Sequence, residues 1–142
     1  MGLLSKLFGG NKDYPPIPED NELKAMLNKL KEPLEDLAHK VKERIEVVPA
    51  GQEAFVYLGK PPKTFGIAWI HDGKVSGLKE LMENNNLSQS AAAKMVDKLG
   101  QAYVHANETP RYSAEVGGKK AVVINSKNLE QEIRQIINST IH

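Results

Sequence analysis

A stripe of apolar residues near the N-terminus constrains the fold of this chain more than any other feature. Its members recur at alternating steps of four and three residues: Leu23, Leu27, Leu30, Leu34, Leu37 and Val41. This spacing places them on one side of a helix, in the narrow seam typical of a coiled coil, and it predicts a helix from about residue 20 to 46. A seam must be buried, either against a sheet of the same chain or against another chain. The residues that we predict to bind a protein partner, or a second copy, are Leu27, Leu30, Leu34, Leu37 and Val41.

Pro33 interrupts this predicted helix. A proline inside a helix removes one backbone hydrogen bond and clashes with the carbonyl four residues earlier, at a cost of about 3 kcal/mol. The helix therefore either kinks at Pro33, or a second helix begins there with Pro33 in its first turn.

The first 19 residues predict a tag and a linker outside a single domain of residues 20–142. The apolar residues of MGLLSKLFGG at 1–10 form one stripe of a short helix, which is too short to cross a membrane. The alternatives for this tag are weak peripheral contact with a membrane, a tail that docks on a partner, or a turn packed on the domain. Three prolines in four residues, at 15–18, predict an extended tether.

The rest of the chain alternates between strand and helix patterns. Short apolar runs at 54–58 and 64–70 predict two strands, and Gly117-Gly118 predicts a tight turn between strands at 111–116 and 119–124. Helical spacing follows at 78–83, at 89–103 behind a Ser88 cap, and after Asn125-Ser126. The sequence therefore predicts an α+β fold, an antiparallel sheet of about four strands covered by amphipathic helices and preceded by a Pro-rich N-terminal tether.

The composition excludes several classes of site. The chain of 142 residues has no cysteine, which removes disulfides, thiolate metal sites, iron–sulfur clusters and cysteine nucleophiles, and suits the reducing cytoplasm. Its 19 basic and 18 acidic residues nearly cancel, which argues against a general polyanion binder.

No local motif predicts a catalytic, metal or cofactor site. The sequence contains no G-x-S-x-G elbow and no phosphate-binding loop of the G-x-x-x-x-G-K-[ST] or G-x-G-x-x-G kind. The His71-Asp72 step could ligate a metal, but no two of the four histidines share a helix turn. We therefore predict no catalytic residue, no metal ligand and no cofactor.

The order of elements after residue 77 supports an alternative function. A short helix, an asparagine-rich turn, a second helix and a hairpin resemble the order of a winged helix-turn-helix. In this alternative, polar residues of the second helix would enter the major groove of DNA, and basic residues of the hairpin would contact phosphates. The predicted nucleic-acid-binding residues are Ser88, Gln89, Ser90, Lys94, Lys98, Arg111, Lys119 and Lys120.

The aromatic residues of the two early strands have two interpretations. Phe55, Tyr57, Phe65 and Trp69 could stack a flat ligand, as in a small-ligand carrier or a small enzyme, but the spacing of 65, 67 and 69 favours one apolar face of a strand in the core. We therefore predict a non-enzymatic regulatory or adaptor module that binds a protein partner. Nucleic-acid binding is the alternative, and a carrier or small enzyme is the third.

Overall fold

Five helices and six strands make up the part of the chain that the structure describes. The computed structural model describes residues 14–18, 22–106 and 109–141. The helices are α1 (Glu22–Lys29), α2 (Lys31–Lys40), α3 (Leu78–Asn85), α4 (Gln89–His105) and α5 (Lys127–Ile141). The strands are β1 (Ile45–Ala50), β2 (Glu53–Lys60), β3 (Thr64–His71), β4 (Lys74–Gly77), β5 (Arg111–Val116) and β6 (Lys119–Ile124). The predicted tag at 1–10, with its membrane or partner contact, and His142 lie outside the described residues.

The strands form one mixed sheet in the order β4-β3-β2-β1-β6-β5. Neighbouring strands are antiparallel except β1 and β6, which run parallel with Val47 opposite Val123. The predicted α+β class is confirmed, but the expected count of about four strands, all antiparallel, is wrong. The structure adds β1 and β4, and the parallel pair joins the two halves of the chain.

Strand β1 was not predicted from the sequence, because it is buried. All six of its residues are buried, so its sequence IEVVPA lacks the alternation of a half-exposed strand. The predicted helix, expected to continue to about residue 46, ends at Lys40 instead. Pro49 is tolerated in this central strand because it lies beyond the last parallel pair, where its missing N–H removes no ladder bond.

Strand β4 escaped prediction because it has only four residues. It is joined to β3 by a two-residue turn in which Asp72 (φ 52°) and Gly73 (φ 73°) both have positive φ. This is the conformation of the tight primed turns that connect hairpins.

The helices cover both faces of the sheet. Helices α1 and α2 pack on one face, where Leu30, Leu34 and Leu37 contact β1 residues such as Val47. Helices α3, α4 and α5 pack on the opposite face, in a core of sixteen buried residues that includes Leu99. Both faces of the central strands are therefore largely dry, which explains their mostly apolar composition.

Local signals at helix ends agree with the structure. Pro33 is the third residue of α2, in the first turn, where its missing N–H has no intrahelical partner to lose. Ser88 and Ser126 cap α4 and α5 by accepting hydrogen bonds from backbone N–H groups three residues later. Asn86 ends α3 in the left-handed conformation, as the asparagine run predicted.

Candidate functional site

Residues 14–18, which we call the N-terminal strap, lie along the outer edge of β5. The backbone N–H of Ser113 donates to the carbonyl of Pro15 (2.9 Å), and the Ser113 hydroxyl donates to the carbonyl of Tyr14 (2.8 Å). Ile17 is buried in a small apolar cluster with residues of α1 and β6. This part of the predicted tether is therefore attached to the domain, as an extended segment on the edge of the sheet.

A groove of about 960 Å³ lies beside the strap, between helices α1 and α2 and the second half of β5. Its apolar lining residues are Pro16, Ile17, Pro18, Leu27, Leu34, Ala114 and Val116. Its polar and charged lining residues are Lys24, Asn28, Lys31, Glu35, Ser113, Glu115 and Lys120. The groove thus combines apolar surface with charged groups, which is the character of a recognition site.

The backbone of β5 leaves one residue unpaired at this groove. In an antiparallel ladder, alternate residues direct their N–H and C=O groups toward the neighbouring strand and away from it. Ser113 directs its N–H away from β6 and toward the strap, so Glu115, two residues later, also faces away from β6. Within the described ranges, no residue forms a hydrogen bond with the outward N–H or C=O of Glu115.

The charged residues around the groove are of both signs. Three lysines and two glutamates line it: Lys24, Lys31, Lys120, Glu35 and Glu115. Its lining includes no histidine among the described residues, and its one hydroxyl, on Ser113, is engaged by the strap.

The structure places the predicted partner-binding residues mostly inside the molecule. Leu30, Leu34 and Leu37 are 3%, 1% and 6% exposed and pack on the sheet, while Leu27 and Val41 are half-buried beside them. The stripe is therefore satisfied by an intramolecular helix–sheet contact. Leu27 and Leu34 also line the groove, so the groove is where this set meets solvent.

The predicted nucleic-acid-binding residues are divided between the two faces of the sheet. Helix α4 packs on one face and leaves exposed its cap and four polar residues: Ser88, Gln89, Ser90, Lys94 and Lys98. Lys119 instead donates to the carbonyls of Val41 (2.6 Å) and Glu43 (3.0 Å), just after α2 on the opposite face.

The remaining two members of that set also have local contacts. Arg111 donates to the carbonyls of Ala106 (3.0 Å) and Thr109 (3.2 Å) and lies over the ring of Tyr103. Lys120 lines the groove. The structure therefore does not assemble the eight residues on one surface.

The turn between β5 and β6 packs on α2, since a Cβ at Gly117 would lie 3.0 Å from Nε2 of His39.

A buried polar network lies under α4, on the face opposite the groove. Glu46, 3% exposed, accepts a hydrogen bond of 2.8 Å from the Tyr103 hydroxyl, and Tyr57 donates to the carbonyl of Leu99 (2.8 Å). Burial, together with the carboxylate of Glu46, raises the pKa of Tyr103 from 10.0 to about 12. Burial also raises the pKa of Tyr57 well above 10.0, and Glu132 adds to the effect. Both tyrosines are therefore neutral donors that hold the core together.

The aromatic residues of β2 and β3 belong to the core of that same face, as their spacing favoured. Tyr57 is buried and Phe65 packs tilted against it, with ring centroids 5.4 Å apart. Trp69 packs against the same cluster and donates from its indole nitrogen to Glu53 (3.0 Å). The carboxylate of Glu53 also accepts from Arg134 of α5 (3.4 Å).

Within the described ranges, no group of three or more histidine, aspartate or glutamate side chains is placed to hold a metal ion. His71 lies 3.7 Å from the exposed carboxylate of Asp72 and stacks on Trp69. Among the same residues, no helix has the length and apolar character needed to cross a membrane.

Leu27, Leu34 and Lys120 of the groove lining were named from the sequence, the last for a different function, but the strap and the exposed edge of β5 were not predicted. The hairpin of β5 and β6 was predicted, but nothing local shows which of its strands lies at a sheet edge. The one available signal was Ile17, an apolar residue between prolines, which a free tether does not need.

The chain was also compared with known proteins. No protein-family model, no curated protein and no solved structure matches it.

Proposed function

We propose that this protein is a non-enzymatic regulatory or adaptor module that binds an extended segment of a partner protein in the groove beside β5. One observation supports the proposal most strongly. The groove adjoins a sheet edge that is already paired, in its first half, by an extended segment of this same chain. The absence of cysteine agrees with action in the cytoplasm.

The apolar lining accounts for affinity in physical terms. Burying one partner side chain of leucine or valine size contributes about 1.5–3 kcal/mol. Association costs about 4–15 kcal/mol in lost freedom, so two or three such contacts, which together contribute about 3–9 kcal/mol, suit a weak, reversible complex with a dissociation constant of roughly 0.2 mM or above.

The test is selection of binding peptides followed by obstruction of the groove. A random peptide library displayed on phage is selected against the full chain, and the strongest binders are synthesised with a fluorescent label. Their affinities are measured by fluorescence polarisation for the natural protein and for Asn28→Trp, which places a large ring in the groove from an exposed position of α1. Asn84→Trp, at an exposed position of α3 on the other face of the sheet, is the matched control.

We expect Asn28→Trp to weaken binding at least about tenfold, with no change for Asn84→Trp. The proposal is overturned if the library yields no binders, or if the binders retain full affinity for Asn28→Trp.

A further inference from the structure

The apolar segment at residues 3–8 has no part in the proposed binding of a partner. It contains Leu3, Leu4, Leu7 and Phe8, at spacings that place them on one side of a short helix. It is too short to cross a membrane. Large apolar side chains gain free energy when they leave water, so an apolar surface of the domain within their reach is a place for them to bind.

The groove is within reach of this segment. The described residues begin at Tyr14, and Pro16, two residues later, already lines the groove, at most about 7 Å further along the chain. The strap runs parallel to β5, so the residues before it must fold back to enter the groove. Residues 9–13 can span up to about 16–18 Å, which is enough for this return. Gly9 and Gly10 have no Cβ, so they allow the chain to reverse there.

The walls of the groove include apolar side chains that the fold leaves partly uncovered. Pro16 and Pro18 of the strap are exposed, and Leu27 of α1 and Ala114 of β5 are half-buried. The volume of about 960 Å³ is that of a large ligand pocket. The groove can therefore bury several side chains of the segment without strand pairing at the edge of β5, where the strap already lies.

Charge also favours this segment. Lys24 and Lys120 of the groove lining already have interaction partners. The charged lining residues that form no ion pair within the described ranges are Lys31, Glu35 and Glu115. Their sum is one negative charge. Residues 1–10 contain one charged residue, Lys6, whose positive charge complements it.

We propose that residues 3–8 occupy the groove of their own molecule and compete there with the partner segment, so that the protein inhibits its own binding site. This inference rests on the proposed function, since it names the regulation of the same groove. The partner must therefore displace residues 3–8 before it binds.

The tether explains why a weak contact is sufficient. A short linker holds an attached segment at an effective concentration of about 1 mM. Two or three apolar contacts give a dissociation constant of about 0.2 mM at their strongest. At these values the segment fills the groove in about five molecules of six, and a partner binds about sixfold more weakly than to an empty groove.

The absence of cysteine allows a direct measurement of this contact. Ser5→Cys introduces the one thiol of the chain, on the polar side of the segment, for attachment of a nitroxide spin label. The label broadens the amide NMR signals of residues near it. We expect broadening of Leu27 and Ala114 in the groove and none in α3, on the other face of the sheet. The same label on Asn84→Cys is the matched control, and should broaden α3 and leave the groove signals sharp.

Substitutions in the segment test the competition. Leu7→Asn removes one apolar side chain, and Ser5→Asn introduces the same residue on the polar side as the matched control. In the spin-labelled chain, Leu7→Asn should restore the signals of Leu27 and Ala114. In the unlabelled chain, Leu7→Asn should strengthen the binding of the peptides selected for the groove by about threefold to sixfold, while Ser5→Asn leaves it unchanged. Equal affinities of the two variants overturn the competition.

A mixing experiment identifies the molecule to which the bound segment belongs. Spin-labelled chains are mixed with isotope-enriched chains that carry no label, and only the enriched chains are observed. We expect sharp groove signals in this mixture, because the contact is within one molecule. Broadening there would show that the segment binds a second copy, and would overturn the proposed self-inhibition.

The remaining outcomes separate this inference from the proposed function. If selected peptides depend on Asn28 but the label at residue 5 broadens no groove signal, the groove binds partners without competition, and only the further inference is wrong. If the label broadens the groove signals but the library yields no binders, the proposed function is wrong and the internal contact stands.

Discussion

Glu46 is the one charged residue that is buried in the described part of the chain, and its carboxylate needs a hydrogen-bond donor there. It lies on central strand β1 with 3% of its surface exposed. A buried carboxylate without hydrogen bonds is costly, so the hydroxyl of Tyr103, at 2.8 Å, is expected to stabilise the fold. The two residues are 57 positions apart, and the sequence contains no sign that they meet.

Removing this hydroxyl should therefore destabilise the protein. We expect Tyr103→Phe to lower the free energy of unfolding by about 1–3 kcal/mol, since it leaves the carboxylate without its donor. Urea unfolding followed by circular dichroism measures the change. The control is Tyr112→Phe, because the Tyr112 hydroxyl has no hydrogen bond within the described ranges. Equal losses for the two variants would contradict this role of Tyr103.

The raised pKa of Tyr103 predicts that the protein loses stability in alkali. The pKa of Tyr103 is about 12 in the folded protein and close to 10.0 when unfolded, so the unfolded chain releases its proton first. The contribution of this group is complete below pH 10 and is lost as the pH rises from about 10 toward 12. We expect the difference in unfolding free energy between the natural protein and Tyr103→Phe to shrink between about pH 9 and about pH 11. A constant difference would contradict the shifted pKa.

At the scale of elements, the connection between β2 and β3 depends on one glycine. Gly59 has φ +109°, and a Cβ there would lie 2.9 Å from the carbonyl oxygen of Thr64. Both the backbone conformation and the close approach therefore exclude a side chain.

A matched pair of substitutions separates these two effects. Gly51, in the turn between β1 and β2, also has positive φ (+71°), but a Cβ there would meet nothing within 4 Å. We expect Gly59→Ala to lower the melting temperature more than Gly51→Ala does. The additional loss should correspond to about 1–3 kcal/mol of unfolding free energy. Calorimetry of both variants measures the difference, and equal melting temperatures would show that the contact with Thr64 is unimportant.

The elements differ in how far local sequence could predict them. Helix α4 has an apolar stripe, a serine cap and a length of 17 residues, so it was recognised from the sequence. Strand β1 has none of these signals, because a strand buried on both faces shows no alternation. Its identity depends on pairing with β2 and β6, whose residues lie far apart in the sequence.

At the scale of the whole molecule, β1 and β6 hold the fold together. Their parallel pairing connects the first half of the chain to the last hairpin, and helices cover both of their faces. Strands β4 and β5 lie at the edges of the sheet.

This arrangement predicts the pattern of amide hydrogen exchange. We expect the amides of β1 and the middle of β2 to exchange slowest, at rates that report global unfolding, because their hydrogen bonds are central and dry. The amides of β4 should exchange faster through local opening. Exchange measured by NMR tests this order, and protection of β4 equal to that of β1 would contradict it.

The sequence by itself determined the α+β class, the hairpin at Gly117-Gly118 and most helices, because caps, turns and periodicity act between residues close along the chain. The groove could not be predicted in this way. It is formed by α1, α2, β5 and the strap, which meet only because Ile17 and the leucine stripe bury apolar surface on the sheet. The leucine stripe was compatible with packing on the sheet of the same chain or on another chain, because burial of apolar area is favourable against either surface. Only the tertiary structure decided that the sheet covers most of it and that β5, with Glu115, lies at the edge.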